Sequence, residues 1–424
     1  MMSLGTLAGP ARPGASGHRE NMPHLRAAVL VHAALSCAAP ASSLFPPATP
    51  PDEPRGMIRF PLAPQTDALA VCNDGTPAAM YWRNCTANED RAPGDKGDYC
   101  AKGNGKDGVD QNIWFIAFEQ AGFCYDSASC AARKRATPQR MTSSSLPSSV
   151  FPSGALSCYP EENPNYYKST TVFVPSCSSD EWLGDSGAGA GAARAEPQFR
   201  GARILQAVFL RLAGALASER GGADVIVISG GAGVMAALRT PEVRALLPPT
   251  AAVRAVCDGC LLSASAPLVP VAAQPCSTDA DCPPAVALAK AVPYWNATAT
   301  LGESCAAGRC LLAPSLLPQL ARPPAPLRRS PAEPAAAAAA AAVAVPTALI
   351  YQNLYDVQTL RALRAWPAAH PGSAAHTFAL AHAATVRQSL LRTGSSLIIA
   401  PACTGHLNTS AMGAFFIFEM MSLP

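Results

Sequence analysis

Four short stretches of the chain carry groups that together could break an acyl bond. Ser229-Gly-Gly-Ala-Gly233 is a turn of small residues, Cys257-Asp-Gly-Cys260 holds an acid, Pro401-Ala-Cys-Thr-Gly-His406 ends on a base, and Glu119-Gln-Ala-Gly-Phe-Cys124 is a short run able to expose backbone amides. Their chemistry would be nucleophilic acyl transfer. A serine hydroxyl attacks a carbonyl, a histidine takes its proton, a carboxylate orients the imidazole, and backbone amides hold the oxyanion. Among the histidines past the start of the chain, His406 alone follows a strand-like run. His370 and His376 lie in an Ala/Pro/Gly loop and His382 within an amphipathic helical pattern, where structural or solvated roles are expected.

Groups of this kind need rigid elements to aim them. Ile113-Trp-Phe-Ile-Ala-Phe118, Thr171-Val-Phe-Val174, Val225-Ile-Val-Ile228, Val253-Arg-Ala-Val256, Thr347-Ala-Leu-Ile-Tyr351 and Ser396-Leu-Ile-Ile-Ala400 read as short buried strands. Helical patterns over 203–218, 232–247, 284–292 and 377–393 fall between them. Strands separated by helices predict a doubly wound, mostly parallel α/β sheet, and in such a sheet chemistry gathers at the carboxyl ends of the strands. Each of the four stretches follows a strand. The order nucleophile, acid, histidine along the chain is that of the α/β-hydrolases.

Composition narrows the rest. The chain has 424 residues, of which 14% are charged, with 41 Pro, 31 Gly and a net charge of only +3. An average domain has about 25% charged residues. So weak a positive balance excludes nucleic-acid binding driven by charge. No run approaches the roughly 18 uninterrupted apolar residues that a membrane span requires. Met22-Pro-His-Leu-Arg26, the apolar run from Ala27 to Ala34 and the small residues Ala39-Pro-Ala41 read as a secretory signal beginning near Met22. Fifteen cysteines suit an oxidising, extracellular compartment, and removing Cys37 with the leader leaves an even number. The sequons at Asn84, Asn296 and Asn408 agree with that compartment.

The organisation that follows is a leader and signal over 1–44, a Pro-rich extended segment over 45–70 and one domain over 71–424. Three interruptions fall inside that domain: a polar loop over 89–110, a Cys-rich lid-like insertion over 261–312, and a Pro/Ala-rich linker over 313–346. The acidic residues of the polar loop do not have calcium-loop spacing. Cys276 with Cys282, and Cys305 with Cys310, read as local disulfides rather than zinc ligands, since no histidine lies near them. Cys124 and Cys130 suit a short bridge. No metal or cofactor is implied.

Several motifs in order resemble the pectin acetylesterase and Notum family: Cys72-Asn-Asp-Gly-Thr-Pro77, Phe118-Glu119 with Gly122-Phe-Cys124, Val174-Pro-Ser-Cys-Ser-Ser-Asp-Glu-Trp182, Phe199-Arg-Gly201, Ala232-Gly233, Tyr294-Trp-Asn296, Leu349-Ile-Tyr-Gln352 and Pro401-Ala-Cys-Thr-Gly-His406. The resemblance implies an extracellular, disulfide-rich α/β-hydrolase fold that cleaves carboxylic esters from an acylated polysaccharide or a lipidated glycoprotein. It places the acid on Asp258 and the base on His406. It also implies that Cys257 and Cys260 bridge to other segments. The family's serine position is occupied here by Gly231, which has no side chain with which to attack; Ser229 is the fallback nucleophile. The family's Glu-Gly-Gly run reads Glu119-Gln-Ala-Gly122, leaving the amides of Ala121, Gly122 and Ala232 as oxyanion donors. Phe123 and Trp182 are the expected pocket residues beside Asp258. Two functions follow as alternatives: a secreted, monomeric carboxylesterase, or an inactive hydrolase fold that captures an acylated ligand.

Overall fold

The computed structural model describes residues 56–62, 67–83, 112–151, 153–157, 163, 167, 169–187, 197–217, 222–272, 276, 278, 281–320, 348–352, 356–366 and 371–391, with the short pairs 30–31 and 398–399. The polar loop 89–110 and His406 lie outside the described residues.

The strands are β1 (Leu30–Val31), β2 (Met57–Pro61), β3 (Ala79–Arg83), β4 (Ile113–Phe118), β5 (Ser149–Val150), β6 (Thr170–Val174), β7 (Val225–Gly230), β8 (Ala252–Asp258), β9 (Leu349–Tyr351) and β10 (Ile398–Ile399). They form one sheet in the order β1-β10-β9-β8-β7-β4-β6-β3-β2-β5. Neighbours from β1 through β6 pair in parallel, and β3, β2 and β5 continue the sheet by antiparallel pairing. This is the mostly parallel α/β sheet that the alternation of strands and helices predicts.

Because side chains alternate across a strand, β4 and β7 each feed two cores. Trp114, Ile116, Ile226 and Ile228 enter the larger cluster, whereas Phe115 and Val227 enter a smaller one with Tyr81, Phe173, Val256 and Leu349. Helix α2 (Gly201–Leu216) covers the larger face, burying Ile204, Leu205, Val208, Phe209 and Leu212. Among the described residues the other α-helices are α1 (Ser127–Ala136), α3 (Ala232–Ala237), α4 (Pro241–Arg244), α5 (Pro284–Tyr294), α6 (Thr298–Leu301), α7 (Ala313–Leu320), α8 (Val357–Ala362) and α9 (Ala374–Leu391).

Four features differ from expectation. Order begins before residue 71, since Met57–Pro61 of the Pro-rich segment forms β2 and pairs with β3; among the described residues β5 pairs only with Met57 and Ile58, so the nitrogen of Pro61 faces an unpaired edge, where a missing N–H is tolerated. The helical pattern over 232–247 is broken into α3 and α4, with Thr240 capping Pro241–Arg244. The start of the low-complexity stretch is α7, whose Leu316, Leu317 and Leu320 are buried at helical spacing. Leu30–Val31, within the expected leader, pairs with β10 at the edge of the sheet.

Five disulfides join described cysteines: Cys72–Cys177, Cys124–Cys130, Cys257–Cys260, Cys276–Cys282 and Cys305–Cys310. The three short bridges 124–130, 276–282 and 305–310 are those expected. Cys257 and Cys260 bridge each other instead of distant segments. The intervening turn explains this: Gly259 adopts φ 60°, a left-handed conformation glycine accepts without strain, and it brings the two Cα atoms to 5.2 Å.

Candidate active site

The carboxyl ends of β4, β7 and β8 lie side by side, with Ala117 paired to Ser229 and Gly230 to Cys257. Glu119, just past β4, is fixed from several directions. Its amide donates to Val174 O at 2.9 Å, its carboxylate accepts from Ser176 N at 3.0 Å and pairs with Arg140, and its carbonyl accepts from Trp182 Nε1 at 3.2 Å. Ala121 is held equally firmly, its carbonyl accepting from Arg133 Nη2 at 2.6 Å, while Gly122 turns the chain at φ 75°. Gln120 is therefore mounted between two clamped neighbours. Its side chain reaches across the end of β7 and donates from Nε2 to Asp258 O on β8 at 2.6 Å.

Gly231 is the residue between β7 and α3, at φ −76° and ψ −173°. None of residues 229–232 adopts left-handed backbone, so the sharp strained turn on which an exposed nucleophile is carried is not formed. Ser229 lies inside β7, paired to Ala117 and Val256, and is 4% exposed. A Cβ built on Gly231 would lie 2.9 Å from Glu181 Oε2, 3.0 Å from Gln120 Cδ and 3.1 Å from Gln120 Cγ. A side chain there would be crowded by the side chains of Gln120 and Glu181, which would have to shift to admit it. Asp258 is buried at the end of β8, and Ala232 is buried at the first position of α3.

The loop after β6 presses on the same turn. Ser179, Glu181 and Trp182 all have positive φ, and left-handed backbone at residues other than glycine costs on the order of 1 kcal/mol each. Asp180, fully buried, organises them. It accepts from Ser178 Oγ at 2.6 Å, from Trp182 N at 3.2 Å and from Gly201 N, at the first turn of α2, at 2.7 Å. Arg133 ties this loop to the one after β4, donating from Nε to Ser179 Oγ at 2.9 Å as well as to Ala121. Phe123 and Trp182 are core residues. Phe123 meets Trp295 edge-on at 5.3 Å and Trp182 meets Phe118 at 5.2 Å.

A cavity of about 240 Å³ lies beyond the ends of β8 and β9, between the run 261–265, α7 and α9. Neither Phe123 nor Trp182 lines it. Leu261, Leu317 and Val386 give it an apolar wall; Asp356, His382 and Ser265 give it a polar one. Asp356 is 3% exposed and caps α8, accepting from Thr359 N at 3.0 Å and from Gln352 Nε2 at 3.3 Å. His382 Nδ1 sits 3.4 Å from Ser265 Oγ. Burial lowers the pKa of His382 and nearby Asp356 pulls it back up, so the imidazole is neutral at physiological pH. Sequence reasoning treats His382 as structural and passes over Asp356, although Asp356 follows a strand-like run just as Asp258 does.

The profile of the Pectinacetylesterase family matches residues 95–312, half of the chain. The chain belongs to the pectin acetylesterase and Notum family. Over 53% of its own length and 40% of the relative's it is 29% identical to the palmitoleoyl-protein carboxylesterase NOTUM of Mus musculus. It is 32% identical to the inactive palmitoleoyl-protein carboxylesterase notum1b of Danio rerio, over 28% of this chain and 70% of that protein. The chain thus spans less than half the length of the mouse relative. Among solved structures, the Wnt deacylase Notum from Drosophila has a similar fold, with a TM-score of 0.61 at 22% identity over 84% of this chain and 87% of that one.

Proposed function

We propose that this family member no longer cleaves esters and instead binds an acylated polysaccharide or a lipidated glycoprotein outside the cell. The observation that carries the reading is Gly231 at the end of β7, which offers no side chain to attack with and is crowded by the side chains of Gln120 and Glu181. A related protein of this family bears the name of an inactive carboxylesterase, so loss of the reaction has precedent among its relatives. The acylated ligand class rests on those relatives, whose names specify palmitoleoyl-protein or pectin acetyl esters. The cavity beside α9, with its apolar wall, is the space offered to an acyl group.

In this reading Ser229 is a strand residue rather than a fallback nucleophile. The acid position belongs to Asp356 more naturally than to Asp258. β10, which leads toward His406, pairs with β9 and not with β8, and Asp356 follows β9 while lining the cavity.

The test is hydrolysis of p-nitrophenyl acetate and octanoate by the secreted protein beside its His406→Ala variant, together with calorimetric titration of octanoate. Equal rates for the two proteins, with octanoate binding that weakens when Leu317→Trp fills the cavity, are expected. A rate that falls when His406 is replaced would restore the esterase.

A further inference from the structure

We infer that Gln120 is the residue that keeps this centre shut, so that loss of the nucleophile and closure of the site are one coupled change. This rests on the proposed non-hydrolytic reading and explains how it is enforced. Three facts combine. Gln120 cannot drift as a unit, because Glu119 is bonded on its carbonyl, amide and carboxylate and Ala121 on its carbonyl. Its side chain cannot swing without cost, because its far end is tied to Asp258 O at 2.6 Å. The middle of that side chain, Cγ and Cδ, is what a Cβ at Gly231 would strike.

A serine side chain at 231 therefore needs the Gln120 side chain to give way by a few tenths of an ångström, against the pull of its bond to Asp258 O, before its hydroxyl can face a substrate. Even then the displaced amide has to find room beside Glu181, whose Oε2 walls the other side. Glycine at 231 leaves the bridge intact and the strand ends of β4 and β8 laced together over β7. The bridge thus does for the ends of these strands what a side chain at the turn would otherwise do: it fills the gap and ties Gln120 to the buried backbone of Asp258.

Gly231→Ser, Gln120→Ala and the double variant separate this from a simple missing nucleophile. The readouts are release of p-nitrophenolate from p-nitrophenyl acetate, covalent labelling by a fluorophosphonate located by peptide mass spectrometry, and melting temperature. In the reaction sought, the introduced hydroxyl oxygen bonds the acetyl carbon as p-nitrophenolate leaves, its proton passes to His406, and water then releases acetate. Gly231→Ser alone should stay at the background of the parent protein and melt lower. The double variant should label at the turn and hydrolyse on the order of 100-fold faster than either single variant, a small part of the ~10⁶ that a complete triad supplies, and lose that gain when His406→Ala is added.

Gly231→Ser labelling and turning over as well as the double variant would overturn the role of Gln120. So would a double variant that melts like the parent yet gains neither label nor rate. Hydrolysis by the parent protein that depends on His406 would instead overturn the underlying non-hydrolytic reading, whatever the variants do.

Discussion

Gly233→Ala is expected to be among the most damaging single substitutions in the chain, costing about 4 kcal/mol or more and lowering the melting temperature by roughly 10 °C. A Cβ at Gly233 would lie 1.7 Å from the carbonyl oxygen of Glu181 and 2.8 Å from its carbonyl carbon. Both are backbone atoms, so no rotamer change relieves the overlap. The loop 179–182 would have to move, yet it is held by Asp180 and by Arg133 and already carries three residues at positive φ. The glycine is thus required for α3 to approach the loop that walls Gly231. Gly214→Ala is the control of opposite sign. That glycine is exposed inside α2 with nothing within 4 Å of a new Cβ, and alanine should stabilise the helix by roughly 0.5–1 kcal/mol. Thermal unfolding of the two variants decides the matter: a Gly233→Ala protein that melts with the parent would mean that α3 and the loop do not meet as described.

The strands were legible wherever β-branched and aromatic residues run together, which is why Ile113–Phe118 has the same bounds in sequence and structure. The end of β7 was less so, because Ser229 and Gly230 have no strand preference and are drawn into the ladder by pairing with Val256 and Cys257 on β8. Prolines hid two further elements. Met57–Pro61 sits in a Pro-rich stretch and is a strand because β3 and β5 pair with it, and α7 contains Pro318 yet is held by its buried leucines. At the site, the missing serine at 231 is readable only by setting the small-residue turn against the family it resembles. The closure by Gln120 is not, since it depends on β4, β7 and β8 being neighbours in space, a fact of sheet order rather than of chain order. Cys257–Cys260 teaches the same lesson in reverse: the local turn at Gly259 decided the pairing, and a family likeness pointed away from it.

Asp180 should make the stability of the protein fall as the solution is brought from about pH 5 to pH 7.5. Burial raises its carboxyl to about 7, against the pull of the donors from Ser178, Gly201 and Trp182, with the charge of Glu181 adding to the rise. The folded chain therefore holds a proton on Asp180 between the ordinary carboxylate range and 7, where the unfolded chain has released it. Stability is greatest at the acid end of that window and declines as pH rises through it. Between pH 5 and the folded value near 7 this amounts to a loss on the order of 2–3 kcal/mol, at about 1.4 kcal/mol per pH unit. Asp180→Asn keeps the shape and one acceptor but cannot ionise, so its unfolding free energy should be flat between pH 5 and 7.5 and approach or exceed that of the parent at the upper end. Asp180→Ala should be destabilised at every pH by roughly 3 kcal/mol or more, because it leaves the amides of Gly201 and Trp182 without their acceptor and opens a gap under the strained loop. Urea unfolding of the three proteins at both pH values separates these outcomes. A parent that is more stable at pH 7.5 than at pH 5, with Asp180→Asn removing the difference, would show that the donors outweigh burial and that the buried carboxylate is held ionised by the N-terminus of α2.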